Sequence, residues 1–239
     1  MSPSHLQDID CYWSIDLALP HGFDPMAQEV HVIAQELYAG VQFFQREDWL
    51  VIAAPPQCVD RITERVRGVS MHEVFTANFV ERLLSPDVGR IIGPAHIGYA
   101  DSAMFRTSPT EGCRLLTPED AAQRRALAEA LSAEELEQSG FDPHEAPAFG
   151  AFAEGILCAV ASYEIWEPRI AHITVATHPA HRHCGHGRAA VSALAGQTLT
   201  RGFVLQYRAL AANPNSQALG RSLGFEHYCS TLFARPASA

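Results

Sequence analysis

Lysine is absent from this chain, and all 17 of its basic residues are arginine. The absence excludes Schiff-base chemistry on a side-chain amine and a phosphate-binding loop of the Walker type, since both need a lysine. Any phosphate must therefore be held by arginine or by backbone N–H groups.

The chain also lacks long hydrophobic runs and paired cysteines. Its apolar stretches are broken by charges or glycine before they reach the roughly 20 residues that a membrane helix needs. Residues 1–10 do not show the basic-then-apolar pattern of a signal peptide. The six cysteines are scattered without a Cys-x-x-Cys pair, which is typical of reduced thiols. We therefore expect a cytoplasmic protein.

Charge is distributed unevenly along the 239 residues, a length that allows one large domain or two small ones. Residues 169–239 hold seven arginines and one acid, a formal charge of +6. Because the whole chain carries −10, the preceding 168 residues carry −16. This asymmetry favours an anionic ligand on the C-terminal part; attraction between the two parts is the alternative, and both can hold. A net charge of −10 argues against nucleic acid as a partner.

Residues 1–112 are predicted to form an α/β domain without a motif that carries chemistry. The expected elements are strands at 41–44 and 49–54, a helix over 59–66, a helix opened by a capping box at Ser70 and Glu73, and a strand at 91–99. The helix after Ser70 should bury Met71, Phe75, Phe79 and Leu83.

Residues 113–239 are predicted to form a second domain, beyond a polar linker at 106–112. The expected elements are a strand at 114–116, a helix from Thr117, a helix capped by Ser132 and Glu135, strands at 148–152, 156–166 and 170–177, a helix over 185–201, a strand at 203–210, a helix over 216–223 and a strand at 228–234.

Two short motifs near the C-terminus are suited to binding a phosphorylated ligand. Residues 182–187 read Arg-His-Cys-Gly-His-Gly and join the strand at 170–177 to a helix. The glycines allow backbone N–H groups to approach a phosphate, and the helix N-terminus adds favourable potential. Arg182 and Arg188 can supply charge-assisted hydrogen bonds. The second motif, Asn213-x-x-Ser216-x-x-Leu219, leads to Leu-Gly-Phe at 223–225.

With these two motifs and the predicted order of helices and strands, residues 113–235 resemble the GNAT N-acetyltransferase superfamily. The resemblance implies an α/β fold with a mixed sheet whose two central parallel strands splay apart. Whether residues 1–112 form a degenerate second GNAT half is left open.

The resemblance also implies a site for acetyl-CoA as cosubstrate. The backbone of Val175 and Thr177 would bind the pantetheine amides, and the Val175 N–H would polarise the thioester carbonyl. Asn213 would reach the pantetheine arm and Ser216 would help to complete the pocket. The pyrophosphate would be held by the loop that consists of Arg182, His183, Cys184, Gly185, His186, Gly187 and Arg188.

The chain departs from the superfamily at both usual catalytic positions. The glutamate that takes the amine proton in many members is replaced by Ala171. The neighbouring His172 should face the other side of the strand, and Glu164 and Glu167 are further candidates for the base. The tyrosine that protonates the leaving thiolate is replaced by Gly220, for which Tyr228, Tyr207 or Cys229 are substitutes. We take Glu164, His172 and Tyr228 as the catalytic candidates.

A cluster of metal-ligating side chains overlaps the phosphate loop. It consists of His178, His181, His183, Cys184 and His186. Its spacing matches no closed zinc motif, and the same segment has to form a tight phosphate turn. We therefore predict no metal and keep a metal-binding protein as a lesser alternative.

The sequence thus predicts an acyl-CoA-dependent N-acyltransferase, most simply an acetyltransferase acting on a small-molecule or peptide amine. The acidic N-terminal part suggests a cationic acceptor. We expect no nucleic acid and no membrane partner, and allow for a homodimer. The alternative is a non-catalytic acyl-CoA-binding regulatory module.

Overall fold

A computed structural model describes residues 1–144, 147–167 and 169–237, with only the backbone for Glu167. The chain divides into two compact units. The first unit consists of Met1–His5, Tyr99–Arg208 and Ala218–Glu226. The second unit consists of Leu6–Gly98, Ala209–Gln217 and His227–Ala239.

Eight helices and ten strands are defined among the described residues. The helices are α1 (Pro3–Asp16), α2 (Pro56–Val66), α3 (Met71–Val74), α4 (Ala77–Leu84), α5 (Ala121–Ala130), α6 (Ala133–Ser139), α7 (His186–Thr200) and α8 (Pro214–Ser222). The strands are β1 (Val30–Ala34), β2 (Val41–Arg46), β3 (Trp49–Ala54), β4 (Val88–Ala100), β5 (Cys113–Leu115), β6 (Ala148–Ala153), β7 (Ile156–Glu167), β8 (Ile170–Thr177), β9 (Val204–Leu210) and β10 (Glu226–Pro236).

The first unit is built on strands in the order β9-β8-β7-β6-β5. Strands β6, β7 and β8 pair antiparallel through short turns. Strand β5 pairs antiparallel with β6 across a long connection that contains α5 and α6, and β9 returns parallel to β8 after the crossover helix α7. A hydrophobic cluster that includes Leu127, Leu157 and Val160 lies on the face covered by α5 and α6. Central strands covered on both faces read as nearly continuous apolar runs, as β7 and β8 do.

The second unit carries strands in the order β1-β3-β2-β10-β4. Strands β2 and β3 form a hairpin closed at Arg46 and Trp49, β10 pairs antiparallel with β2, and β1 runs parallel to β3. Its core includes Phe43, Leu50, Ile52 and Ile62, all of which are fully buried.

The mixed α/β fold class and the strands predicted at 148–152, 156–166 and 170–177 are confirmed, with β6 and β7 one residue longer than expected. The helix expected after Ser70 is wrong in one respect, because it is interrupted. The hydroxyl of Thr76 accepts a hydrogen bond from the Phe79 N–H at 3.2 Å and caps a separate helix, α4. Phe79 is consequently only half-buried.

Two further findings concern the cysteines and the lengths of the helices. All six cysteines lie in the described part of the chain and are free. Within residues 1–144, 147–167 and 169–237, every helix is too short or too polar to span a bilayer.

Candidate acyl-CoA site

The two central parallel strands separate at the point where the resemblance requires it. Strands β8 and β9 pair from Ile170 with Val204 to Ile173 with Tyr207. Strand β8 continues to Thr177, and these last residues pair only with β7, on their other side. This edge of β8 therefore presents backbone N–H and C=O groups to an added extended chain.

Val175 and Thr177 both lie on this edge. They pair with Ala161 and Ala159 of β7 and are partly exposed. Their predicted role in binding the pantetheine amides remains a prediction, and the strand geometry is compatible with it.

The predicted phosphate loop runs from the end of β8 to the first turn of α7. His183 and Gly185 adopt left-handed conformations with φ of 61° and 85°, which turns the chain sharply before His186 begins the helix. Gly185 is the N-cap and provides no side-chain acceptor, so the N–H groups of the first turn point outward without an intrahelical partner. This is the arrangement in which a helix N-terminus binds an anion.

Two arginines of the loop are placed differently. Arg182 forms an ion pair with Glu135 of α6, with an N–O distance of 2.7 Å. In Arg188 the Nε atom is buried, and no side chain or backbone group of the described residues accepts its proton. A buried donor without an acceptor is costly, so this atom fits a bound anion.

The histidines and cysteine of the loop also differ in exposure. His183 and Cys184 are exposed, whereas His186 is half-buried. The rings of His181 and His186 lie with their centroids 6.1 Å apart.

The base candidates Glu164 and His172 lie together on one face of the sheet. They face each other across β7 and β8, without a bulge at that pair. Trp166 joins them: its ring stacks on His172 with centroids 4.0 Å apart, and its Nε1 donates to Glu164 at 3.2 Å. The predicted candidate Glu167 has a side chain that lies outside the described residues.

The tautomer of His172 is set by a residue that sequence reasoning missed. Gln206 of β9 lies beside His172, and its Oε1 accepts from the imidazole Nδ1 at 2.8 Å. Gln206 is oriented in turn by its Nε2, which donates to the Tyr99 hydroxyl at 2.6 Å. The Nε2 of His172 therefore carries the lone pair that can accept a proton.

The His172 imidazole is neutral at physiological pH. Burial lowers its pKa to about 4, and the nearby Arg208 acts in the same direction. The hydrogen bond to Gln206 and the charge of Glu164 oppose this shift without cancelling it.

Gly220 of α8, at the position of the usual tyrosine, lies against the ring of Tyr207 of β9. A Cβ atom on Gly220 would lie 3.0 Å from the ring of Tyr207. Tyr207 is buried and also packs on Phe225, with ring centroids 5.2 Å apart. A side chain at position 220 would require this ring to shift.

The remaining predicted residues belong to the second unit. The side-chain oxygen of Asn213 accepts from the Ser216 N–H at 3.0 Å and caps α8. The hydroxyl of Tyr228 donates to Asp10 and accepts from Arg46 at 2.8 Å. Burial raises the pKa of this phenol far above its ordinary value, and the hydrogen bond to Asp10 adds to the effect.

Residues 114–225 match the family model described as the Acetyltransferase (GNAT) family. This segment is therefore similar to GNAT acetyltransferases. The GNAT match contains every predicted cofactor-binding residue and both base candidates, while Tyr228 lies just outside it.

Solved GNAT structures resemble the chain at low sequence identity. A candidate acetyltransferase of the GNAT family from Novosphingobium aromaticivorans DSM 12444 is 23% identical, with a TM-score of 0.52, covering 63% of this chain and 67% of the other. A GNAT-family acetyltransferase from Colwellia psychrerythraea is 12% identical, with a TM-score of 0.48, and the match covers 65% of this chain and 60% of the other. A GCN5-related N-acetyltransferase from Kribbella flavida is 15% identical, with a TM-score of 0.47, and the match covers 67% of this chain and 64% of the other. The alignments thus span about two thirds or less of each of these chains, and no curated protein sequence matches significantly.

Proposed function

We propose that this protein is an acyl-CoA-dependent N-acetyltransferase that acylates the amine of a small molecule or peptide. One observation carries the proposal: within the segment that matches the GNAT family model, the open edge of β8 leads directly into the uncapped N-terminus of α7. An extended pantetheine and an adjoining pyrophosphate would use the two features in sequence.

The residues present fit acetyl-CoA. The pyrophosphate would accept hydrogen bonds from the first turn of α7 and from the buried Nε of Arg188, whose proton has no acceptor among the described residues. The backbone of Val175 and Thr177 would pair with the pantetheine amides. When bound, the cosubstrate supplies an acetyl group activated as a thioester.

The proposed reaction is direct attack of the amine on the thioester carbonyl. Glu164 would attract the ammonium group, and the Nε2 of His172 would take the proton that the amine loses. The Val175 N–H would stabilise the oxyanion. Because His172 and Val175 are three residues apart on β8, about 10 Å at roughly 3.3 Å per residue, the proton would pass from the amine to His172 through water. The carbon–nitrogen bond would form, the carbon–sulfur bond would break, and the CoA thiolate would take up a proton from solvent.

The acceptor is proposed to be cationic. Residues 1–168 carry a formal charge of −16, which favours a protonated amine and disfavours a polyanion. Glu164 is exposed and would provide a local anion at the acceptor end of the site. A cytoplasmic location and a homodimer remain predictions from the sequence.

The proposal is tested by measuring thiol release from acetyl-CoA against a panel of mono-, di- and polyamines and peptides, with mass spectrometry of the product. We expect H172Q and E164Q to lower kcat/KM by about 10²-fold or more, the scale of general base catalysis. The matched control E129Q changes an exposed acid on α5 and should retain activity. Calorimetric binding of CoA without turnover of any amine would instead indicate a non-catalytic module, and absence of CoA binding would refute the proposal.

A further inference from the structure

Three side chains with soft or borderline ligand atoms converge beside the phosphate loop. The Sγ of Cys158 and one ring nitrogen each of His181 and His186 all lie within 4.8 Å of one another. They come from three elements: strand β7, the short 3-10 turn Pro179–His181, and the first residue of α7. All three lie in the first unit.

The ligand types in this group of three side chains favour zinc. One thiolate and two imidazoles suit zinc, whereas magnesium and calcium need oxygen ligands. Ligands at about 2.0–2.3 Å from a tetrahedral zinc lie roughly 3.3–3.8 Å from one another, so a closure of about 1 Å completes the geometry. Three protein ligands leave the fourth position to water or to an added ligand.

Backbone hydrogen bonds already hold two of the three ligands, Cys158 and His181, in place. The His178 N–H donates to the carbonyl oxygen of Cys158 at 2.8 Å, which joins the start of the loop to β7. The next turn is closed by the His181 N–H, which donates to the His178 carbonyl at 2.9 Å. Cys158 is buried, and both histidines are half-buried, so a bound ion would be partly shielded from water.

We propose that Cys158, His181 and His186 form a zinc site. Binding transfers the thiol proton of Cys158 to solvent, while each neutral imidazole contributes a lone pair. The ion would tie the loop to β7 through side chains and leave the N–H groups of α7 available to a phosphate. This proposal departs from the sequence prediction of no metal.

Cobalt(II) provides a direct probe. The full-length protein is treated with a chelator, dialysed, and titrated with Co²⁺ and then with Zn²⁺ in competition. We expect one equivalent of Co²⁺ to bind, with d–d bands typical of a tetrahedral site and a thiolate-to-cobalt charge-transfer band that Zn²⁺ abolishes. The C158S variant should lose the charge-transfer band. The H181Q and H186Q variants should bind more weakly by more than the ~10- to 100-fold typical of losing a residue that only supports a ligand.

Two controls separate loss of a ligand from loss of fold. C229S removes another buried thiol, and H183Q removes an exposed imidazole of the same loop. Both should keep the spectrum and affinity of the wild type. The proposal is overturned if the wild type shows no charge-transfer band, if C158S retains it, or if H183Q loses binding as H186Q does. Because the readout needs no CoA, the site can fail or succeed independently of the proposed acetyltransferase activity.

Discussion

A Cβ atom on Gly187 would lie 2.8 Å from the Oγ1 of Thr177. Real Cβ atoms do not approach other atoms this closely, so alanine at position 187 would force the first turn of α7 or the Thr177 side chain to move. The contact places the N-terminus of α7 beside the open edge of β8. One glycine thus couples the proposed phosphate site to the proposed pantetheine site.

The first prediction follows from this contact. Replacing Gly187 with alanine should push α7 away from β8, destabilise the protein by about 1–3 kcal/mol and weaken CoA binding. A displacement that costs about 1.4 kcal/mol of binding would lower the affinity tenfold. Thermal unfolding and calorimetry with CoA measure the two effects.

Gly196 supplies the control in the same helix. It is exposed, and a Cβ atom there would have nothing within 4 Å. G196A should therefore stabilise the protein by about 0.5–1 kcal/mol through helix propensity alone. If G187A behaved like G196A, the close approach to Thr177 would have no energetic importance.

The second prediction concerns the pH dependence of stability. The pKa of His172 is lowered to about 4, whereas an unfolded histidine titrates near 6.5. Between these values the unfolded chain binds a proton that the folded protein does not, so stability falls as the pH drops from 6.5 to 4. At about 1.4 kcal/mol per pKa unit, the total loss can reach roughly 3 kcal/mol.

The H172N variant keeps a donor toward Gln206 and cannot titrate. Urea unfolding at several pH values should show a shallower loss of stability below pH 6.5 in H172N than in the wild type. The exposed His144 gives the matched control H144N, which should follow the wild-type profile. Parallel profiles for H172N and the wild type would show that the His172 imidazole is not held neutral by burial.

Much of the fold was predictable because its signals are local. Strands β6 to β8 are apolar runs bounded by turn residues. A glycine at position 185 predicts the start of α7, and the structure shows this residue in the left-handed conformation. The break before α4 depends on a single threonine cap, Thr76, which competes with an otherwise continuous helical pattern. Such a local competition is not decided by hydrophobic periodicity.

The site was less predictable because its contacts join distant residues. Gln206 sets the tautomer of His172 from 34 positions away, and no spacing in the sequence connects the two. Cys158 likewise reaches His181 only through the pairing of β7 and β8. An antiparallel pairing of the two predicted strands, Ile156–Glu167 and Ile170–Thr177, would have placed Cys158 near the loop that follows Thr177. The sequence therefore contained enough information to predict this proximity.

The third prediction tests Tyr228, the expected general acid. Its hydroxyl contacts Asp10 and Arg46, and its ring lies 4.2 Å from the Arg46 guanidinium carbon. Y228F should therefore lower stability by about 1–3 kcal/mol, because two polar partners lose a hydrogen bond. D10N should destabilise in the same direction. We expect kcat to fall by less than tenfold in both; a loss of about 10² or more in Y228F alone would establish Tyr228 as the acid.

The fourth prediction concerns the ion pair of Arg182 with Glu135, which joins the predicted phosphate loop to α6. If Arg182 binds phosphate, it must share or leave this carboxylate. E135Q removes the charge but can still accept from the Ser132 N–H, which Glu135 does at 3.0 Å, so the capping box survives. Because an exposed ion pair contributes up to about 1 kcal/mol, CoA affinity should rise by as much as about fivefold.

The neighbouring exposed Glu134 gives the control E134Q, which should leave the affinity unchanged. Weaker CoA binding in E135Q would mean that Glu135 orients Arg182 toward the phosphate instead of competing with it.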